Sequence, residues 1–182
     1  MTRSALDKLI SSMGLIIAIV LLATSAALFW TYSFIHSQVH DQMAAEKIYF
    51  PTADSKSLAA LPNSDRDKVN QYAGQQLLTG AQAKVFADNY IAVHIKAVGG
   101  GKTYSELSTA SLADPTNQKL AGQVQTVFRG ETLRGLLLNA YAFDTMAVVA
   151  NYAAMGALAS GLLLVILALL GFRHASIAAR RK

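Results

Sequence analysis

The chain has 182 residues, of which 53% are hydrophobic and only 15% are charged, against roughly 25% charged residues in an average globular protein. The formal net charge is +5, but residues 36–144 carry ten Lys or Arg and ten Asp or Glu. The excess positive charge therefore lies near the chain ends, which excludes a basic nucleic-acid-binding surface in the middle. The sequence has no cysteine, which excludes disulfides, thiol catalysis and thiolate metal sites.

Residues 9–35 form the first of two uncharged stretches. Its 27 residues exceed the length of about 20 that a helix needs to cross a hydrocarbon core. We predict a cytoplasmic N-terminus over residues 1–12 and a transmembrane helix over 13–35, with Trp30 and Tyr32 at the membrane interface. The stretch is longer than the apolar core of a secretory signal, which favours an uncleaved anchor.

Residues 36–144 are predicted to form an extracytoplasmic bundle of helices. The first helix is expected to continue to residue 48 and to end before Pro51, because the residue before a proline avoids the helical region. Residues 51–63 contain two prolines and predict a loop. Ser64 is the predicted N-cap of a helix that ends near residue 78.

Two capping-box patterns predict the next helix starts. Thr79 and Gln82 open a helix over residues 80–98, which the glycines at 99–101 end. Thr103 and Glu106 open a short helix to residue 112. Three- and four-residue spacing predicts a buried stripe on the first of these helices, made of Val85, Phe86, Tyr90, Val93 and Ala97.

A last helix is expected to start at Asp114 and Pro115, to kink near Gly130 and to lead into the second membrane span. Its predicted apolar stripe is Leu133, Leu136, Leu137, Ala140 and Tyr141. Because no strand-like alternation competes with these helices, the predicted fold class is an all-α membrane protein. Two transmembrane helices are expected to flank the outer bundle.

The second uncharged stretch, residues 145–172, predicts a second transmembrane helix, followed by a basic cytoplasmic tail over residues 173–182. Lys and Arg next to a span stay in the cytoplasm during insertion. Both termini are therefore expected in the cytoplasm of a multi-pass cell-membrane protein. The tail is expected to contact anionic headgroups through Arg173, Arg180, Arg181 and Lys182, at about 1 kcal/mol per charge.

A stripe of small residues in the second span predicts close helix packing, because small side chains let helices approach each other in lipid. It comprises Ala153, Gly156, Ala157, Ser160 and Gly161, with Asn151 as a candidate hydrogen-bonding group. The first span offers a counterpart in Gly14, Ala18, Ala23, Ala26 and Ala27. The two spans of one chain are the expected partners, and oligomerisation or docking into a larger complex is the alternative.

Residues 99–103 resemble part of a phosphate-binding loop, but that motif requires glycine at the position occupied by Lys96 and a strand before the loop. The glycines are more typical of a helix C-cap, and we expect no nucleotide. His36 and His40 share one helical face and are weak candidate metal ligands, since zinc takes three or four. We therefore predict no metal, cofactor or catalytic residue.

Three polar positions near the outer helices have competing interpretations. His94 stands on an apolar helix and is expected to be a hydrogen-bonded bundle residue rather than a base. Glu131 and Arg134 are three residues apart and can pair. With Asp144 they form either a surface ion pair or a polar anchor for a partner helix.

Residues 90–94, 101–105 and 123–141 resemble a group of uncharacterised two-span membrane proteins of actinobacteria. The resemblance covers roughly the outer helices and the second span, and it implies a two-span topology without implying an activity. The resulting hypothesis is a non-enzymatic accessory, scaffold or interaction subunit that binds a membrane-protein partner or itself. The alternatives are an extracytoplasmic ligand sensor that signals through a separate partner, and an enzyme acting on envelope lipids.

Overall fold

The computed structural model describes residues 3–180, and 83% of the described chain is helical. Within that range there is no β-strand, which confirms the all-α class. The elements are α1 (Arg3–Glu46), α2 (Lys56–Ala59), α3 (Asn63–Asn70), α4 (Gly80–Val85), a π-helical segment (Phe86–Ile91), α5 (Ala92–Val98), α6 (Tyr104–Ala113) and α7 (Gln118–Arg180).

The chain divides into two compact units. The first unit consists of the chain up to Ile35 and from Met146 onward, and the second unit is His36–Thr145. Helices α1 and α7 contribute residues to both units.

In the first unit, α1 and α7 pack against each other in antiparallel orientation. Ser25 Oγ donates to the Ala154 carbonyl at 2.9 Å, and Ser4 Oγ donates to the Ala175 carbonyl at 3.0 Å. The most buried positions recur every seven residues, which is the coiled-coil repeat. They are small on both helices: Ser11, Ala18 and Ser25 on α1, and Ala147, Ala154, Gly161, Ala168 and Ala175 on α7.

The remaining faces of this helix pair are apolar and exposed. Ile16 on α1 and Val149 on α7 are each 62% exposed. Both helices are long and apolar enough to cross a membrane, and only 11% and 17% of their most apolar windows are buried. Soluble monomers rarely expose extended apolar faces of this kind.

In the second unit, α1 ends at Glu46, before the predicted position, because Lys47 adopts a left-handed φ of 51°. The chain then runs extended and pairs with a later segment. Phe50 N–H donates to Gln75 O and Leu77 N–H to Ile48 O, both at 2.9 Å. The predicted helix to residue 78 therefore ends earlier, at Asn70.

The predicted loop over residues 51–63 contains the short helix α2, which Ser55 caps. Ser64 is not the N-cap of α3, which begins at Asn63 with Pro62 at the cap position and no side-chain cap bond. The Pro62 carbonyl accepts a hydrogen bond from Arg66 N–H at 2.8 Å, which closes the first turn of the helix. Leu58, Leu61, Val69 and Leu77 are buried in the core of this unit.

Both predicted capping boxes are confirmed, at Thr79 with Gln82 and at Thr103 with Glu106. Of the predicted stripe between them, Phe86 is buried and Ala97 is exposed, while Val85, Tyr90 and Val93 are half-buried. The other buried apolar positions, Ala83, Ala87, Ile91 and Ile95, are spaced by four. The π-helical segment has wider turns than an α-helix, so four-residue spacing keeps these side chains on one face.

Helix α7 begins later than Pro115, at Gln118, where Asn117 Oδ1 accepts from Leu120 N–H at 3.0 Å. Helix α7 is continuous through Gly130 to Arg180, so the predicted kink does not interrupt the helix. Gly130 instead allows close packing, since a Cβ there would overlap Ile95 Cγ2. Of the predicted stripe, Leu137 is buried, Ala140 and Tyr141 are half-buried, and Leu133 and Leu136 are exposed.

Candidate functional site

Asp144 joins three helices of the second unit. Its Oδ1 lies 3.1 Å from His36 Nδ1 on α1, and its Oδ2 accepts from Gly80 N–H at 3.2 Å at the start of α4. The carboxylate is only 14% exposed, and a Cβ on Gly80 would overlap the Asp144 side chain. Asp144 is thus a structural junction within the chain, a role that sequence spacing alone did not indicate.

A second polar cluster surrounds Asp88 in the π-helical segment. Asp88 accepts from Lys84 Nζ at 2.8 Å and from Arg134 Nη2 at 3.0 Å. Arg134 Nη1 lies 3.6 Å from Glu131, which confirms the predicted pairing of those two residues. Lys84 Nζ also lies 5.1 Å from the centre of the Tyr141 ring.

Within the Asp88 cluster, the pKa values of Asp88 and Lys84 are both shifted in the direction that favours the charged form. Burial raises the pKa of the Asp88 carboxyl, but the hydrogen bonds from Lys84 and Arg134 outweigh burial and hold that pKa below its usual value. The hydrogen bond to Asp88 raises the pKa of Lys84. The cluster therefore acts as a charged link between the π-helical segment and α7.

The π-helical segment also contacts α3, because Asn89 Nδ2 donates to Asp65 Oδ1 at 2.7 Å. His94, in α5, is half-buried and fits the expected bundle histidine. Its Nδ1 lies 2.8 Å from the Tyr90 carbonyl, and its ring lies 4.4 Å from the Tyr90 ring. An Nδ1–H donating to that carbonyl gives His94 a structural role in the helix.

An apolar depression, the outer groove, separates the parts of α1 and α7 that belong to the second unit. Leu136 and Phe143 on its α7 side are 60% and 56% exposed. Its polar side chains are Gln42, Glu46 and Asn139, so its only charged group is a carboxylate. The main apolar side chains are Val39, Met43, Ile48, Leu133, Leu136 and Phe143.

The two candidate metal ligands point to different partners. His36 Nδ1 faces Asp144, whereas His40 Nδ1 lies 3.2 Å from Asp41. Across residues 3–180, no three His, Cys, Asp or Glu side chains gather closely enough to hold a metal ion. The structure thus does not bring the pair together as a metal site.

The predicted packing stripe is only partly buried. Gly161 is buried against α1, where an added Cβ would lie 3.0 Å from Leu22. Asn151 and Ala157 are half-buried, whereas Ala153, Gly156 and Ser160 are exposed. The contact follows a seven-residue repeat that the three- and four-residue pattern did not reveal.

The predicted counterpart on α1 behaves similarly. Ala18 is buried and Gly14 is half-buried, while Ala23, Ala26 and Ala27 are exposed. On the basic tail, Arg173 and Arg180 are exposed, and Arg181 and Lys182 lie outside the described residues.

Comparison of the chain with protein-family models, curated proteins and solved structures found no match. The resemblance to two-span actinobacterial membrane proteins therefore stays a prediction.

Proposed function

We propose that the chain is a two-span membrane protein and a non-enzymatic accessory or scaffold subunit. In this proposal the first unit lies in the bilayer, both termini are cytoplasmic, and the second unit is extracytoplasmic. The outer groove binds a helix of a membrane-protein partner. The observation that carries the functional part is the exposed apolar lining of that groove.

The exposed apolar faces of α1 and α7 support insertion into a bilayer. The helices contact each other through small residues, while large side chains such as Ile16 and Val149 face outward. This is the reverse of a soluble coiled coil, where large apolar residues occupy the seam. Small residues at the seam and large ones outside suit lipid as the surrounding solvent.

The distribution of Lys and Arg supports the orientation. Residues 173–182 contain four Arg or Lys and no acid, whereas residues 36–144 are neutral as a whole. Basic residues within a short distance of a span determine which side remains cytoplasmic.

The length and charge of the outer groove support a helical occupant. Its α7 side extends from Leu133 to Phe143, which is about 15 Å at 1.5 Å per residue and matches three turns of a partner helix. An amphipathic helix docks in such a groove through its apolar face. Because Glu46 is the only charged residue of the lining, we expect the partner helix to carry a Lys or Arg there.

Topology can be tested by fusing a reporter after residue 100 and another after residue 182. We expect the reporter after residue 100 to show an extracytoplasmic location and the reporter after residue 182 to show a cytoplasmic one. A cytoplasmic reporter at residue 100, or release of the chain from membranes without detergent, would contradict the proposal.

Docking can be tested with a photo-crosslinking amino acid at Leu136 in native membranes, with Leu112 as the matched exposed control on α6. We expect one discrete adduct from position 136 and none from 112. Glu46→Lys should reduce the yield by repelling the basic partner residue. An adduct of twice the chain mass identifies a second copy as the occupant, and the same adduct pattern from position 112 would refute docking in the groove.

A further inference from the structure

A cleft with a basic lining lies in the second unit, between α5, the loop before α6, and α7. We call it the basic cleft. Its floor includes the apolar residues Ile95 and Val127, and its charged side chains are Lys96, Lys102, Arg134 and Glu131. Three cations from three separate segments therefore surround one small space and face a single carboxylate.

Arg134 has one donor that the chain does not satisfy. Its Nη2 donates to Asp88 at 3.0 Å, and its Nη1 lies 3.6 Å from Glu131. Its Nε is buried without a hydrogen-bond partner. Arg134 thus keeps hydrogen-bonding capacity beyond its two carboxylate partners.

The two lysines of the basic cleft have no carboxylate within ion-pair distance in the part of the chain that the structure describes. The nearby carboxylate Glu106 accepts from Thr103 N–H at 2.7 Å and from the Thr103 hydroxyl at 2.9 Å. Glu131 is paired with Arg134. The basic cleft is therefore not neutralised by ion pairs to its lysines.

The backbone of the glycine loop does not supply an anion site. Gly101 N–H donates to Lys96 O at 2.8 Å and Gly100 N–H to Ala97 O at 3.2 Å. These two bonds form the helix-ending motif in which the residue after the cap is left-handed, and Gly100 has a φ of 61°. Any anion in the basic cleft must therefore be bound by side chains.

We propose that the basic cleft binds a single phosphate group through Lys96, Lys102 and Arg134. A phosphate presents several acceptor oxygens, which suits the three cations that line the cleft. The volume of about 170 Å³ is below the roughly 300–1,000 Å³ of ordinary small-molecule pockets, so the cleft can enclose a phosphate group but not a whole nucleotide. The phosphate belongs either to a lipid headgroup or to a free ion, and this site does not depend on the proposed partner helix.

The test uses the full chain in mild detergent and phosphate-free buffer. Inorganic phosphate should raise the Tm in a saturable manner, whereas sodium chloride at matched ionic strength should not. Lys96→Gln with Lys102→Gln should weaken binding by about tenfold or more. Both lysines are exposed, so helicity by circular dichroism should be unchanged, and Lys56→Gln with Lys68→Gln on α2 and α3 is the charge-matched control.

The lipid source is separated by native mass spectrometry from micelles that contain phosphatidic acid or phosphatidylcholine. Retention of phosphatidic acid by the wild type but not by the Lys96/Lys102 variant supports a headgroup ligand. A phosphate-dependent Tm without lipid retention supports a free ion. Two results would overturn the proposal. Sodium chloride could raise the Tm as much as phosphate does, or the Lys96/Lys102 variant could bind phosphate and lipid as strongly as the wild type.

Discussion

Replacing Gly130 by alanine tests the close packing of α7 on α5. The new Cβ would overlap Ile95 Cγ2, and Ile95 is buried, so the methyl cannot move into solvent. Overpacking of a core costs about 1–3 kcal/mol, while Gly→Ala within a helix contributes about 1 kcal/mol of stability. The net effect should be a loss of up to about 2 kcal/mol.

The same helix offers matched controls. An added Cβ at Gly122 or Gly135 would meet nothing within 4 Å, so alanine at either position should stabilise the protein by up to about 1 kcal/mol. Thermal unfolding followed by circular dichroism compares all three variants. A Gly130→Ala variant as stable as the controls would refute the packing argument.

A double-mutant cycle separates the overlap from other causes. Ile95→Ala removes the overlapping methyl, at the usual cost of a cavity, about 2–5 kcal/mol. In that background Gly130→Ala should become stabilising, like the two controls. Additivity of the two substitutions would show that residues 95 and 130 are not coupled and would contradict the structure.

Three further predictions concern other contacts. Asp88 has a lowered pKa in the folded state, so its stabilisation is present above the unfolded value of about 3.9 and is lost as pH falls through the lowered pKa. Asp88→Asn should therefore make the change in Tm between pH 5 and pH 2 smaller than in the wild type. Gly161→Ile should separate α1 from α7 and lower the Tm in detergent, and the same change at Gly156, where the site is open, should not. Ser25→Ala removes the bond to Ala154 O and should cost about 0.6 kcal/mol, measured as a smaller loss of Tm than that of Gly161→Ile.

The two capping boxes were predictable because their chemistry is local. In each box, the threonine side chain accepts from the backbone N–H three residues later, and the side chain of that residue accepts from the threonine backbone N–H. Ser64 has the same favourable residue type but lies inside α3, because Pro62 starts the helix earlier. The extended segment after Gly74 has no local signal in the sequence, since its hydrogen bonds go to residues 48–50.

The polar sites were less predictable than the caps. The spacing of Glu131 and Arg134 indicated their pairing, but nothing near Asp88 in sequence indicated that it would bind Arg134, 46 residues later. The basic cleft has the same origin, because Lys96, Lys102 and Arg134 come from three segments. Its lysines carried no local signal beyond a partial phosphate-loop pattern.

The sequence alone determined the helical class, the two apolar helices and the distribution of charge, because each depends on the composition of a continuous stretch. The tertiary structure decided the contact between α1 and α7, which has a seven-residue repeat. It also decided the role of Gly130 and the surroundings of Asp144 and Arg134. Those features depend on which residues meet across 30 to 170 positions of chain. Contacts between such distant residues are set by the packing of whole helices rather than by the residues next to each position.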